Sequence, residues 1–257
     1  MSLNILLRKA RVALTPRSWL LKTRLANGAV VCGQNRPGYG GRGVYIFRDT
    51  LEPEFEHLLE FLEPSAVLVD IGANTGIYTL KGATFLSANG GQVVALEPFP
   101  EMLATLQHNV RVNGLNNVRL RNVCAGDRTH AASFWQNFDK PNTFSLTRRD
   151  EKAACLSVLV VALDDLFAWE DLHRLDYLKI DAEGAEAQII AGAKKVIEKY
   201  RPIIQVEINL EDVAVRLPDY SAFQAAHNSA NRLLIPNENP KIGIPAKLGW
   251  IKVASPA

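Results

Sequence analysis

The chain has 257 residues, of which 47% are hydrophobic and 22% charged, with a net charge of +2 and three cysteines. That composition suits a globular protein with one large core and excludes a fibrous or low-complexity chain. Cys32, Cys124 and Cys155 form no C-x-x-C pair and are odd in number, which argues against a disulfide framework or a structural zinc site and fits a reducing compartment.

No apolar run approaches about 20 residues, so no membrane-spanning helix is expected. Arg8, Lys9 and Arg11 interrupt the N-terminal apolar residues before a signal-peptide core could form, so the expected location is cytoplasmic. Residues 1–48 hold nine Lys and Arg and no Asp or Glu, leaving 20 basic against 27 acidic residues beyond them. A split of this kind suggests that the first segment meets an anionic surface or docks on the acidic body. Residues 1–52 are therefore read as a basic extension, and residues 53–257 as the main domain.

In chain order, Leu3 to Leu14 predicts a helix with Leu3, Leu6, Leu7, Ala10 and Leu14 on one stripe and cations opposite. The pattern serves equally a packing helix or a peripheral contact of residues 1–24 with an anionic membrane face. No aromatic-interleaved basic patch recurs beyond this segment, which argues against nucleic acid as a partner. Asn35 to Gly43 reads as a glycine-rich loop before a short strand, Val44 to Phe47, and Pro53 to Leu62 as a helix ending before Pro64.

Ala66 to Val69 is a short apolar run, as in a strand buried on both faces, and it leads into Asp70, Gly72, Asn74 and Gly76 before a helix over Ile77 to Ala88. A strand, a glycine turn and a helix N-terminus make a nucleotide-cofactor loop. Gly72 is expected to let a ligand approach the backbone, and Gly76 to let the helix pack on the sheet. A dinucleotide asks for Gly-x-Gly-x-x-Gly, whereas Asp70 stands at the first glycine and Thr75 at the third. Asp-x-Gly-x-x-x-Gly resembles instead the first motif of S-adenosylmethionine-dependent methyltransferases. A carboxylate suits a ligand carrying an ammonium and a sulfonium. On this loop alone, adenosylmethionine, a dinucleotide and a plain structural turn all stay open.

Gln92 to Leu96 predicts a second strand delivering Glu97, placed to accept the ribose hydroxyls of a nucleotide. A helix from Pro100 and a third strand, Val118 to Val123, follow. Val123 and Cys124 are expected on the adenine side of the pocket, with Asp127 as a partner for the adenine amino group and Cys124 as an inert wall. Ser133 to Val161 reads as a β-rich insertion over the site. After a helix opened by Leu163, Leu175 to Ile180 is the fourth strand and ends in Asp181-Ala182-Glu183. One helix over Ile189 to Ile197 and a fifth strand, Ile203 to Ile208, come next, with Glu207 near that strand's end. A helix near Tyr220 to Asn228 and strands at Arg232 to Ile235 and Trp250 to Val253 complete the chain.

Alternating strands and helices give an α/β, Rossmann-like doubly wound, mostly parallel sheet with its ligands at the strand C-termini. Asp70, Glu97, Val123 and Asp181 all fall at such ends. Asp181 is the first choice for general base, with Glu183 and Glu207 behind it. The same carboxylates could hold Mg²⁺, a less favoured reading.

The stretches VDIGANTGIY (Val69 to Tyr78), ALEP (Ala95 to Pro98), LKIDAEGAE (Leu178 to Glu186) and Arg201-Pro202 with Glu207 resemble the FkbM family of methyltransferases, although Ala182 stands where that family usually has valine. The resemblance runs from about Phe55 to Glu207. It implies an adenosylmethionine-dependent O-methyltransferase acting on a sugar, glycan or secondary-metabolite hydroxyl. The alternatives are a non-catalytic module of the same fold that binds a partner, and an NAD-dependent oxidoreductase.

Overall fold

A computed structural model describes residues 2–136, 144–145, 155–182, 184–207, 217–225 and 229–253. The chain opens with helix α1 (Leu3–Leu14), then a hairpin of β1 (Leu20–Arg24) and β2 (Val30–Gln34), and helix α2 (Gly41–Phe47). The short helix α3 (Pro53–Glu56) and a 3₁₀ turn (Leu58–Phe61) lead into β3 (Val67–Ile71). Helix α4 (Ile77–Leu86), β4 (Gln92–Leu96), helix α5 (Pro100–Val112) and β5 (Val118–Arg121) follow.

The chain then makes a smaller sheet from β6 (Cys124–Gly126), β7 (His130–Gln136), β8 (Phe144–Ser145) and β9 (Cys155–Ala162), in the order β6-β9-β7-β8. Helix α6 (Leu163–Trp169), β10 (Tyr177–Ile180), helices α7 (Glu186–Ala191) and α8 (Lys194–Tyr200), and β11 (Ile203–Glu207) return it to the main sheet. Strands β12 (Tyr220–Gln224), β13 (Asn231–Pro236) and β14 (Ile251–Val253) complete that sheet.

The main sheet runs β14-β12-β13-β11-β10-β3-β4-β5. Its five strands from β11 to β5 are parallel, and β13 joins β11 antiparallel. Every residue of β3 and of β10 is buried, as strands covered on both faces must be. Alternate residues enter opposite cores. Val69, Ile71, Val94 and Leu96 face one, with Leu178, Ile180 and α7 and α8; Leu68 and Val93 face the other, with α4 and the 3₁₀ turn. From β3 the sheet grows outward through β4 and β5, then crosses back to β10 on the other side. That reversal opens a crevice at the carboxyl ends of β3 and β10, where open α/β sheets hold ligands.

Four expectations need correction. Val44 to Phe47 is helical, because Gly41 and Val44 bury one turn apart and a Cβ at Gly41 would lie 2.5 Å from the Gln34 carbonyl oxygen. Tyr220 to Gln224 is a strand whose residues are all buried between β13 and β14. The helix over Ile189 to Ile197 breaks at Gly192, where a Cβ would stand 2.0 Å from the Gly126 carbonyl oxygen. The third parallel strand stops at Arg121, so Cys124 belongs to the smaller sheet.

Residues 1–52 lie against the rest of the chain. Asn109 Nδ2 donates to the Cys32 carbonyl (2.8 Å) and its Oδ1 accepts from Cys32 N–H (2.9 Å), while Asn113 does the same for Val30. Lys81, on buried α4, donates to the Phe55 carbonyl and pairs with Asp49 at 3.0 Å. Among the described residues no helix is long and apolar enough to cross a membrane.

Candidate active site

A cleft of about 280 Å³ opens at the sheet's crevice. One wall is the loop from Gly72 to Thr75, another is Lys179 and Asp181 at the end of β10, and the third comes from Arg36 to Val44 of the N-terminal segment. The N-terminal wall was not foreseen from the sequence. Gly40 sits so close to the loop that a Cβ there would lie 2.2 Å from Thr75 Oγ1.

The cofactor loop owes its glycines to the chain itself. Gly72 has φ +72°, and a Cβ there would fall 1.8 Å from the Asp181 carbonyl oxygen, so the residue keeps the β3 and β10 ends in contact. This revises the expectation that Gly72 clears space for a ligand. Gly76, at φ +86°, caps α4, and a Cβ there would meet Leu106 Cδ1 at 2.1 Å, so its close neighbour is α5 rather than the sheet. Asn74 adopts the left-handed region at φ +52°, and its Oδ1 accepts from Thr75 N–H at 2.8 Å.

Asp70 is buried. Its Oδ2 accepts from Thr79 Oγ1 (2.6 Å) and Thr79 N–H (3.1 Å), while among the described residues Oδ1 accepts no hydrogen bond. Parallel register sets Lys179 directly across from Asp70. The Lys179 ammonium lies 3.8 Å from Asp70 Oδ1, 3.2 Å from Asp181 Oδ2 and 4.9 Å from the centre of the Tyr78 ring. Burial raises the Asp70 pKa more than Lys179 and Thr79 lower it. Burial works against the Lys179 ammonium, but Asp181 and Asp70 outweigh it and raise its pKa. Asp181 is packed among protein groups, yet 41% of its side chain is open to the cleft. Burial alone would raise its pKa; the Lys179 charge and a hydrogen bond with Glu207 outweigh that and hold it below its usual range.

Behind the Lys179 charge runs a buried polar chain. Tyr177 Oη donates to Gln205 Oε1 (2.8 Å), Gln205 Nε2 donates to Tyr78 Oη (2.8 Å), and Tyr78 Oη donates to Glu52 Oε2 (2.9 Å). A lysine inside the otherwise apolar strand Tyr177–Ile180 was the sequence signal that could have found this network.

Glu97, at the tip of β4, is 6% exposed. Its Oε2 accepts from Asn74 N–H (2.7 Å) and its Oε1 from Phe99 N–H (2.8 Å), leaving each oxygen a second lone pair. Burial outweighs these bonds, and Asp70 and Asp181 add like charge, so its pKa is pushed up to about 7. Cys124 is buried; desolvation and the nearby Glu97 charge push its thiol up to about 12, so it stays protonated. Val123 packs against the core beside α7 and α8. Asp127 is exposed in the bend after β6 and does not line the cleft. Glu207 is half-buried at the end of β11, and Glu183 lies outside the described residues. Among the described residues no three His, Cys, Asp or Glu side chains cluster as a metal site.

Residues 70–224, which span β3 to β12, match the methyltransferase FkbM domain. The chain belongs to the FkbM methyltransferase family. The chain is similar to Methyltransferase 1 of Beauveria bassiana, 26% identical over 172 residues, which is 55% of this chain and 68% of that protein. The 2-O-methyltransferase NoeI of Sinorhizobium fredii is 25% identical over 169 residues, 54% of this chain and 62% of that one. A crystal structure of methyltransferase FkbM from Methylobacillus flagellatus aligns with 65% of this chain and 42% of its own, at 22% identity and a TM-score of 0.40. This chain thus spans less than two thirds of NoeI and less than half of the Methylobacillus chain.

Membership of the FkbM family implies S-adenosylmethionine as the cofactor. The residues fit it: a cationic ligand rich in hydroxyls needs acceptors, and among the described residues Asp70 Oδ1 accepts no hydrogen bond and each Glu97 oxygen accepts only one.

Proposed function

We propose that this FkbM protein is an S-adenosylmethionine-dependent O-methyltransferase whose acceptor is a hydroxyl of a small molecule or glycan. The observation that carries the reading is Asp181: a carboxylate held ionised by Lys179 and open to the same cleft as the cofactor loop. The 2-O-methyltransferase name of NoeI supports an oxygen acceptor.

In this reading Glu97 accepts the ribose hydroxyls, the Gly72–Gly76 loop with Asn74 and Asp70 receives the methionine end, and Val123 and Cys124 flank the adenine, whereas Asp127, exposed beyond the cleft, takes no part. When bound, the cofactor supplies an activated sulfonium methyl group. Asp181 accepts a hydrogen bond from the acceptor hydroxyl and takes up its proton as the oxygen reacts, with Glu207 beside it at the end of β11. Its low pKa makes Asp181 a weak base, so much of its contribution is orientation, to which general-base assistance adds roughly 10²–10⁴-fold. Arg36 and Arg42, on the cleft wall, suit an acceptor carrying negative charge. Mg²⁺ is not needed for any of these roles.

Calorimetry with S-adenosylmethionine, its demethylated product and NAD tests the cofactor. Heat with the first two and none with NAD is the expected result, and no heat with either of the first two overturns the reading. Transfer of radiolabelled methyl to hydroxyl acceptors, resistant to a chelator, tests the chemistry. Binding without transfer to any acceptor leaves a partner-binding module instead.

A further inference from the structure

A second cleft, of about 570 Å³, lies between α1, the β1–β2 hairpin and the end of α2, and shares no lining residue with the first. Arg8, Arg11, Lys22, Arg24 and Arg48 line it with Tyr45, and no carboxylate does. Among the described residues none of these five cations is in an ion pair. Asp49, next in sequence, is turned away: it pairs with Lys81 and accepts from Ala26 N–H. Five like charges around one space repel each other unless an anion enters.

Helix α1 adds a second, independent feature. It holds to the body through buried Val12, whose carbonyl accepts from Asn35 Nδ2 at 2.9 Å, and through Arg8, which donates to the Ile46 carbonyl at 2.5 Å. With 3.6 residues per turn, Leu3, Leu6, Leu7 and Leu14 lie on the side away from Val12. They are 70%, 47%, 60% and 87% exposed. A helix serving only as a structural clasp would turn its leucines inward. Leu7 belongs to both features, bordering the cationic cleft and the apolar stripe. Trp19 and Leu20, at the start of the hairpin, are exposed too, at 63% and 56%.

We infer that α1 and this cleft dock the protein on an anionic phospholipid membrane, the leucine stripe entering the acyl boundary and lipid phosphates seating among the five cations. A cation-rich helix with one apolar face is the form that lies in a membrane interface. Tryptophan favours the same depth, and each Lys or Arg at an anionic surface adds attraction. The chemistry recognised is phosphate, and the apolar stripe beside it specifies a lipid source rather than a soluble one.

The test is co-sedimentation of the full chain with vesicles of equimolar phosphatidylglycerol and phosphatidylcholine, against vesicles of phosphatidylcholine alone. Binding to the anionic vesicles only, weakened by salt, is expected. Arg11→Glu with Lys22→Glu, and separately Leu3→Glu with Leu7→Glu, should each weaken it at least about tenfold. All four positions are exposed, and unchanged thermal melts confirm that both variants fold. Equal binding to both vesicle types, no binding, or binding indifferent to the leucine changes overturns the inference. Calorimetry with sodium pyrophosphate supplies a further outcome: tight binding without vesicle binding makes the cleft a soluble-phosphate site and refutes membrane docking. A dimer in light scattering that Leu3→Glu with Leu7→Glu dissociates, without vesicle binding, assigns the stripe to a second copy and refutes it equally.

Discussion

Replacing Glu97 by glutamine tests the cofactor assignment through its pH dependence. In the free protein the carboxyl titrates at about 7, because burial outweighs its two backbone donors. Two ribose hydroxyls added to its spare lone pairs would stabilise the ionised form, so binding should release a proton below that pH. Affinity for S-adenosylmethionine should then fall up to about tenfold per pH unit below about 7, and level off above it. Glutamine cannot ionise and offers one acceptor oxygen instead of two. Charge-assisted hydrogen bonds contribute roughly 1.5–3 kcal/mol each and neutral ones roughly 0.5–1.5, so Glu97→Gln should bind about 10- to 100-fold more weakly at about pH 8. The two affinity curves should converge towards about pH 5.5. The stability of the free protein supplies an independent sign check. A carboxyl whose folded pKa is raised contributes most when protonated, and that contribution is lost as pH rises through about 7. Wild type should therefore lose about 3 kcal/mol relative to Glu97→Gln between about pH 4.5 and 8 in urea titrations. Isothermal calorimetry across this range is the assay. A wild-type affinity that is flat with pH, or a variant keeping the wild-type slope, would refute the reasoning.

Asp181→Asn should lower kcat roughly 10²–10⁴-fold in methyl-transfer assays while cofactor affinity changes by less; equal loss in both would make Asp181 a binding group only. Because Lys179 holds Asp181 below its usual range, the acid limb of kcat should lie well below that of kcat/KM, which Glu97 sets near 7. Lys179→Met removes the counter-charge of two carboxylates and should destabilise the fold by about 3–5 kcal/mol in urea, with an upward shift in the kcat acid limb of whatever folds. Gly72→Ala should destabilise by at least about 3 kcal/mol whether or not cofactor is present, since its Cβ meets the Asp181 carbonyl oxygen rather than a ligand. A variant that is fully stable and merely fails to bind would restore the ligand-space explanation.

What the sequence by itself determined is the local grammar of the main sheet. Val67–Ile71, Gln92–Leu96 and Ile203–Glu207 are legible because a strand buried on both faces must be a short apolar run bounded by turn residues. Asp70, Glu97 and Asp181 stood out because each carboxylate follows such a run, where open α/β sheets hold their ligands. What depended on distant parts of the chain was not legible. Val44 to Phe47 has strand-like residues but coils, because Gly41 must press on the backbone of Gln34; Tyr220 to Gln224 extends because β13 and β14 wait on either side. Lys179 gained its role from inter-strand register, which sets it across from Asp70, and Arg36 and Arg42 reached the cleft because the hairpin folds back onto α5. Periodicity records which face of an element is buried, a local property. Which element covers that face, and so which charges meet in the cleft, is set by pairings between residues far apart in the chain, and only the tertiary structure decided them.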